Sequence, residues 1–270
     1  MKFELYKALI CISGRNVLLY SPIYMRNTFW RFVFLLTAVL AVFPVSVLAQ
    51  PDLPKGLADR GPLTRIKFIH YRKALAKPSS PGNSKKQNSC FSYLGSGAKW
   101  RTEEDYLVNF SGSGLDETAV LDAVTKGESE WEKYGSQNIF GQGRADASAI
   151  YSDDFDGQNV LAFGNYPDAG VIAVTSVWGY FSGPPGKREL VEWDMLLNTG
   201  SSWQFGDALS DSSKMDLQNI TTHELGHSAG MGDLYSLSCD QETMYGYSAE
   251  GEIIKRDLNQ GDIAGISSLY

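Results

Sequence analysis

Histidine and cysteine are both scarce in this chain. Its 270 residues hold three of each: His70, His223 and His227, and Cys11, Cys90 and Cys239. So few cysteines exclude a disulfide-dense scaffold, and any histidine-built site has three side chains to draw on. Net positive charge is missing too. The formal charge of −7 argues against nucleic acid as a partner. After residue 49 no apolar run is long enough to cross a bilayer. Glycine and proline, 27 and 10, are near average and show no repeat, which excludes collagen-like and disordered chains. The remaining composition, 43% hydrophobic and 20% charged, suits a globular protein with one sizeable core or two small ones.

The charge divides the chain into three parts. Residues 1–49 carry five basic and one acidic side chain, residues 50–89 nine and two, and residues 90–270 ten and 28, for nets of +4, +7 and −18. In the first part Arg26 and Arg31 precede an apolar run from Phe32 to Ala49 that closes on Val47-Leu48-Ala49. This pattern reads as a secretory signal over 1–49 with Met25 as a plausible true start, the alternative being a retained membrane anchor. Cleavage would leave a secreted, extracellular chain without stable membrane insertion. Residues 50–89, rich in Lys, Pro, Ser and Gly, read as a basic pro-segment or linker in which only Ile66–Tyr71 has strand character. The basic arm could dock on the acidic body, or both could be solvated surfaces.

From Cys90 onward the pattern predicts an α/β (α+β) domain. Strands are expected at 105–110, 145–151, 160–163, 171–178 and 190–197, and helices at 116–134, 216–229 and 259–270. Asp216 is placed to cap the second helix and Gly230 to end it.

The chemistry concentrates in Thr222-His223-Glu224-Leu225-Gly226-His227. Histidines at i and i+4 share one helix face and can bind one ion, and the glutamate beside the first can take a proton from water activated there. Zinc suits imidazole ligands and hydrolysis. Gly230 can turn the chain back, which makes Asp233 the candidate third ligand.

With Met244-Tyr245 further on, the lead-in Asp216–Ile220 and the closing Leu258–Ile266, residues from about Lys99 to Tyr270 resemble the matrixins among the metzincin zinc proteases. The resemblance implies a twisted mixed sheet, an active-site helix, a Met-containing turn and a C-terminal helix. It implies a monomeric zinc endopeptidase acting on protein or peptide substrates. His223, His227 and Asp233 would hold zinc, Glu224 would be the general base and acid, and Met244 would form the hydrophobic floor. It also makes 171–177 the edge strand with which substrate pairs, against the plainer reading of a core strand.

Three departures are visible. Matrixins usually use His as third ligand where Asp233 stands here. No histidine is left for a second, structural zinc. No cysteine lies in 50–89 to block the ion, although Ile66–Tyr71 could pair with the substrate's edge and His70 could approach the metal. Asp153, Asp154, Asp156 and Asn159 read as a calcium site or a solvated turn. In an exported chain Cys90 and Cys239 are expected to pair, the competing role being Cys90 as a zinc-blocking thiolate. The alternative functions are a catalytically weak zinc-binding adhesion or inhibitor module of the same fold, or a membrane-anchored protease.

Overall fold

The computed structural model describes residues 60–75 and 89–270, together with two short strands, Cys11–Ile12 and Arg15–Asn16, which pair antiparallel. The chain divides into two units, Met1–Gln50 and Pro51–Tyr270. The apolar run and cleavage-like end expected of a signal lie outside the described residues. Among the described residues no helix is long and apolar enough to cross a membrane.

The second unit is built on a seven-stranded mixed sheet. In chain order its strands are β1 (Thr64–Arg72), β2 (Glu104–Asn109), β3 (Phe140–Ala145), β4 (Val160–Gly164), β5 (Val171–Tyr180), β6 (Glu189–Asn198) and β7 (Tyr247–Ser248). Across the sheet they run β7-β1-β5-β6-β4-β2-β3. Strands β3, β2, β4 and β6 are mutually parallel, while β5 is antiparallel to β6 on one side and to β1 on the other. Val171–Gly179 forms the buried part of β5, a mostly β-branched and apolar run of the kind a strand covered on both faces requires.

Among the described residues three α-helices join the sheet: α1 (Glu117–Glu132), α2 (Leu217–Ser228) and α3 (Gln260–Leu269). Each is capped by the residue its sequence offers. Asp116 accepts from Ala119 N, Asp216 from Asn219 N, and Asn259 forms a capping box with Asp262. Helix α2 is buried almost throughout. Trp131 of α1 donates its indole N–H to Thr222 O at 2.7 Å, and Trp100 donates to Ser228 O at 2.7 Å, so α2 is gripped from outside at its middle and at its C-terminal end.

Two expectations change. The strand expected at 145–151 ends at Ala145, because the Asp146 carboxylate accepts from Ser148 N and closes a turn there. The preceding strand, Phe140–Ala145, went unread because its glycines hide the alternation; a Cβ at Gly141 would lie 2.6 Å from Asp105 Oδ1 on the neighbouring strand. Strand β1 comes from the basic 50–89 segment and is an integral member of the sheet.

Candidate metal centre and peptide cleft

Helix α2 carries His223, Glu224 and His227, all fully buried. Gly230, at φ +104°, ends the helix in the left-handed region, and the chain returns along it to Asp233. The returning loop is held from both sides. Leu94 N donates to Gly230 O, Gly232 N to Ser92 O, and Leu234 N to Met244 O, all within 2.8–2.9 Å. The Cys90–Cys239 disulfide, with sulfurs 2.05 Å apart, ties the domain start to the same loop. That pairing was an expectation of the sequence and excludes Cys90 as a free thiolate here.

Asp233 Oδ1 lies 3.4 Å from His223 Nε2 and 3.4 Å from His227 Nε2. These three atoms are buried and have no hydrogen-bond partner. The histidine tautomers follow from their other nitrogens. His223 Nδ1 lies 2.7 Å from Thr243 O and His227 Nδ1 3.0 Å from Met231 O. A carbonyl can only accept, so each Nδ1 carries a hydrogen, and each Nε2 is turned toward Asp233. Burial lowers the His223 pKa to about 4. Burial also pulls His227 down, but the Asp233 carboxylate more than offsets it and raises that pKa. Asp233 is itself desolvated, yet the two histidines hold it well below the usual carboxylate range. Three unsatisfied donors of imidazole and carboxylate type converging on one point suit a zinc ion.

Beneath them lies Met244, wholly buried. A Cβ at Gly226 would collide with its sulfur and with Trp131, so only glycine lets this turn pack under the helix between the two histidines. The turn is fixed by Asp262, whose carboxylate accepts from Thr243 N at 2.6 Å and Met244 N at 3.2 Å. Tyr235 donates to Asp233 Oδ2 at 2.9 Å, leaving only Oδ1 toward the histidines.

Glu224 is held separately. Thr175 of β5 donates to Oε2 at 2.6 Å, and His70 Nδ1 lies 2.9 Å from Oε1. His70 is 1% exposed, and its ring tilts over His223 at 4.0 Å between centroids; Phe68 stacks on His227 at 3.8 Å. The other face of the centre is thus covered by β1. A second group of possible ligands, His70, His223 and Glu224, is brought together there; His70 Nδ1 is paired with Glu224 Oε1, while His70 Nε2 is buried without a hydrogen-bond partner.

The four acidic-turn residues do not join a cluster of this kind among the described residues. Asp153 is engaged by Lys67, Arg65 and Tyr151, and Asn159 bridges Trp193 N and Asp105 O. The sequence pointed to the α2 histidines, Glu224 and Asp233 through local spacing. Thr175 and Asp262 carried no such signal, since each reaches the centre from a distant element; Tyr235 is local to Asp233, but no spacing rule marks its hydroxyl as a partner.

This arrangement defines a metallopeptidase class. The matrixin family profile matches residues 73–270, and the chain belongs to that family, whose members bind zinc and cleave peptide bonds. A search of curated proteins finds no relative that matches the chain.

Proposed function

We propose that the chain is a secreted zinc endopeptidase in which His223, His227 and Asp233 hold the ion and Glu224 is the general base. One observation carries the reading: three buried, partnerless donor atoms converge beside a carboxylate that is positioned independently of them. A zinc ion there supplies Lewis acidity toward a peptide carbonyl and a water acidic enough to ionise near neutral pH. Thr175 fixes Glu224 through Oε2, so Oε1 is the oxygen that takes the water's proton and later delivers it to the leaving amine. Substrate lies along β5 as an added strand.

Residues 1–49 act as the export signal, within which Met25 is a plausible true start, and 50–89 as a removable pro-segment. The position of β1 supports this reading. It takes up the edge of β5 and engages Glu224 Oε1 through His70, so the base is occupied while the strand is in place. No cysteine is needed for such a block.

Casein zymography with and without a chelator tests the proposal. The expected result is a clearing band that the chelator abolishes and zinc restores. Zinc binding with no hydrolysis under any condition would favour the zinc-binding module without turnover.

A further inference from the structure

Resting on the peptidase reading, we infer that the cleft is built for basic polypeptide substrates and that Asp153 and Glu250 select them. The inference comes from how β1 is held. It runs antiparallel to β5, with His70 opposite Ala173, and parallel to β7, with Tyr71 opposite Tyr247 and Arg72 opposite Ser248. Its register shifts between His70 and Tyr71, at the point where His70 reaches Glu224. A chain passing over the catalytic glutamate with main-chain pairing on both sides follows the path an extended substrate would take.

Every basic side chain on this path that leaves the backbone for the rim meets the same kind of receptor. Lys67 Nζ lies 2.5 Å from Asp153 Oδ1 and 5.9 Å from the centre of the Tyr151 ring. Arg65 Nη1 lies 3.1 Å from the same carboxylate, with its guanidinium 5.9 Å from the Trp178 ring. Arg72 grips Glu250 with two bonds, Nη2 to Oε1 at 2.5 Å and Nε to Oε2 at 3.1 Å, and sits 5.8 Å from the Trp203 ring. Just upstream, Arg60 pairs with Glu189 at 2.9 Å and lies 5.5 Å from the Tyr180 ring.

Each receptor combines a carboxylate with an aromatic face, the two groups that together recognise a cation while packing its apolar stem. The acids are themselves oriented. Tyr151 donates to Asp153 Oδ1 at 2.7 Å, so ring and carboxylate form one unit. The pieces belong to the body: the 151–153 loop, β5, the start of β6, the 198–216 connection and the segment after β7. They remain when β1 leaves. Arg65 and Lys67 precede His70 by five and three positions and Arg72 follows it by two, so the receptors lie on both sides of Glu224. The net of −18 over residues 90–270 would draw cationic chains toward the same rim.

The test is binding, separate from turnover. The full-length chain carrying Arg65→Gln, Lys67→Gln and Arg72→Gln, which loosen β1, and Glu224→Gln, which prevents cleavage, is loaded with zinc. It is titrated with a fluorescent peptide of sequence 64–72 and with the same peptide bearing Gln at its three cationic positions. The basic peptide is expected to bind about tenfold more tightly at low salt, from three partly exposed pairs. The advantage should shrink at high salt and disappear when Asp153→Asn and Glu250→Gln are added. Equal binding of the two peptides would overturn the inference and leave the peptidase reading intact. Binding of neither would overturn it as well. The peptidase reading itself falls only if zinc-dependent casein hydrolysis is also absent.

Discussion

In the proposed mechanism Glu224 is the general base, and its two oxygens are held differently. Oε2 is fixed by Thr175, whereas Oε1 is engaged by His70. Glu224→Gln keeps shape but cannot take a proton. It should retain zinc while losing peptidase activity by about 10²–10⁴-fold, measured as turnover per bound zinc; retention of more than about a tenth of the wild-type rate would remove Glu224 from the role. Asp233→Ala should weaken zinc retention far more than Asp240→Ala, because Asp233 offers a buried, partnerless oxygen and Asp240 is a loop residue outside the convergent group. Equal zinc content after dialysis would exclude Asp233 as a ligand. The positions of these residues were legible because helix spacing and one left-handed glycine encode them within a dozen residues. Thr175 was not, since only strand pairing brings β5 against α2.

At the scale of elements, β1 shows where sequence patterning stops. Ile66–Tyr71 read as a strand, but alternation cannot say which strand it joins. Its neighbours in the sheet, β5 and β7, lie about a hundred and more residues away in the chain. Four of its flanking and strand cations pair with body carboxylates. These pairs are partly exposed, so salt should loosen them. Raising salt should therefore increase the activity of the full-length chain toward a neutral peptide; an unchanged rate would leave main-chain pairing and His70 as the sole restraint.

Strand β6 holds a buried acid, Asp194. It accepts from Ser152 N and Val160 N, yet desolvation dominates and raises its pKa from 3.8 to about 8. The folded chain thus holds a proton that the unfolded chain has lost between those values. Its contribution to stability is complete below the unfolded value and lost as pH rises through about 8. Denaturation midpoints should fall across that window, and less steeply in Asp194→Asn. Asp262, raised to about 7 by burial first, acts with the same sign. Parallel slopes in the wild type and the variant would contradict the assignment to Asp194.

The whole domain is organised around one loop. Residues 230–246 carry Asp233 and Met244, and they are clamped by the 90–94 segment, by α3 through Asp262, and by a disulfide spanning 149 positions. Opening that bond by Cys90→Ala with Cys239→Ala should cost about 2–4 kcal/mol and lower the melting temperature by several degrees. Thiol titration of the folded domain should find neither Cys90 nor Cys239 free. The global charge split was legible from composition, and the α/β class of fold from hydrophobic patterning together with the matrixin resemblance. The depth to which the basic segment is built into the sheet was not, because net charge records attraction but not hydrogen-bond register.

The central claim is that one zinc ion sits between His223, His227 and Asp233, leaving Glu224 to act as a base. The structure also brings His70, His223 and Glu224 together, so the two possibilities can be told apart by position. An anomalous-difference map at the zinc edge, from crystals grown with zinc, measures this directly. The account predicts a single strong peak at about 2.0–2.2 Å from His223 Nε2, His227 Nε2 and an Asp233 oxygen, with Glu224 outside bonding distance. A peak bonded to Glu224, or one with Asp233 turned away from it, would contradict the account.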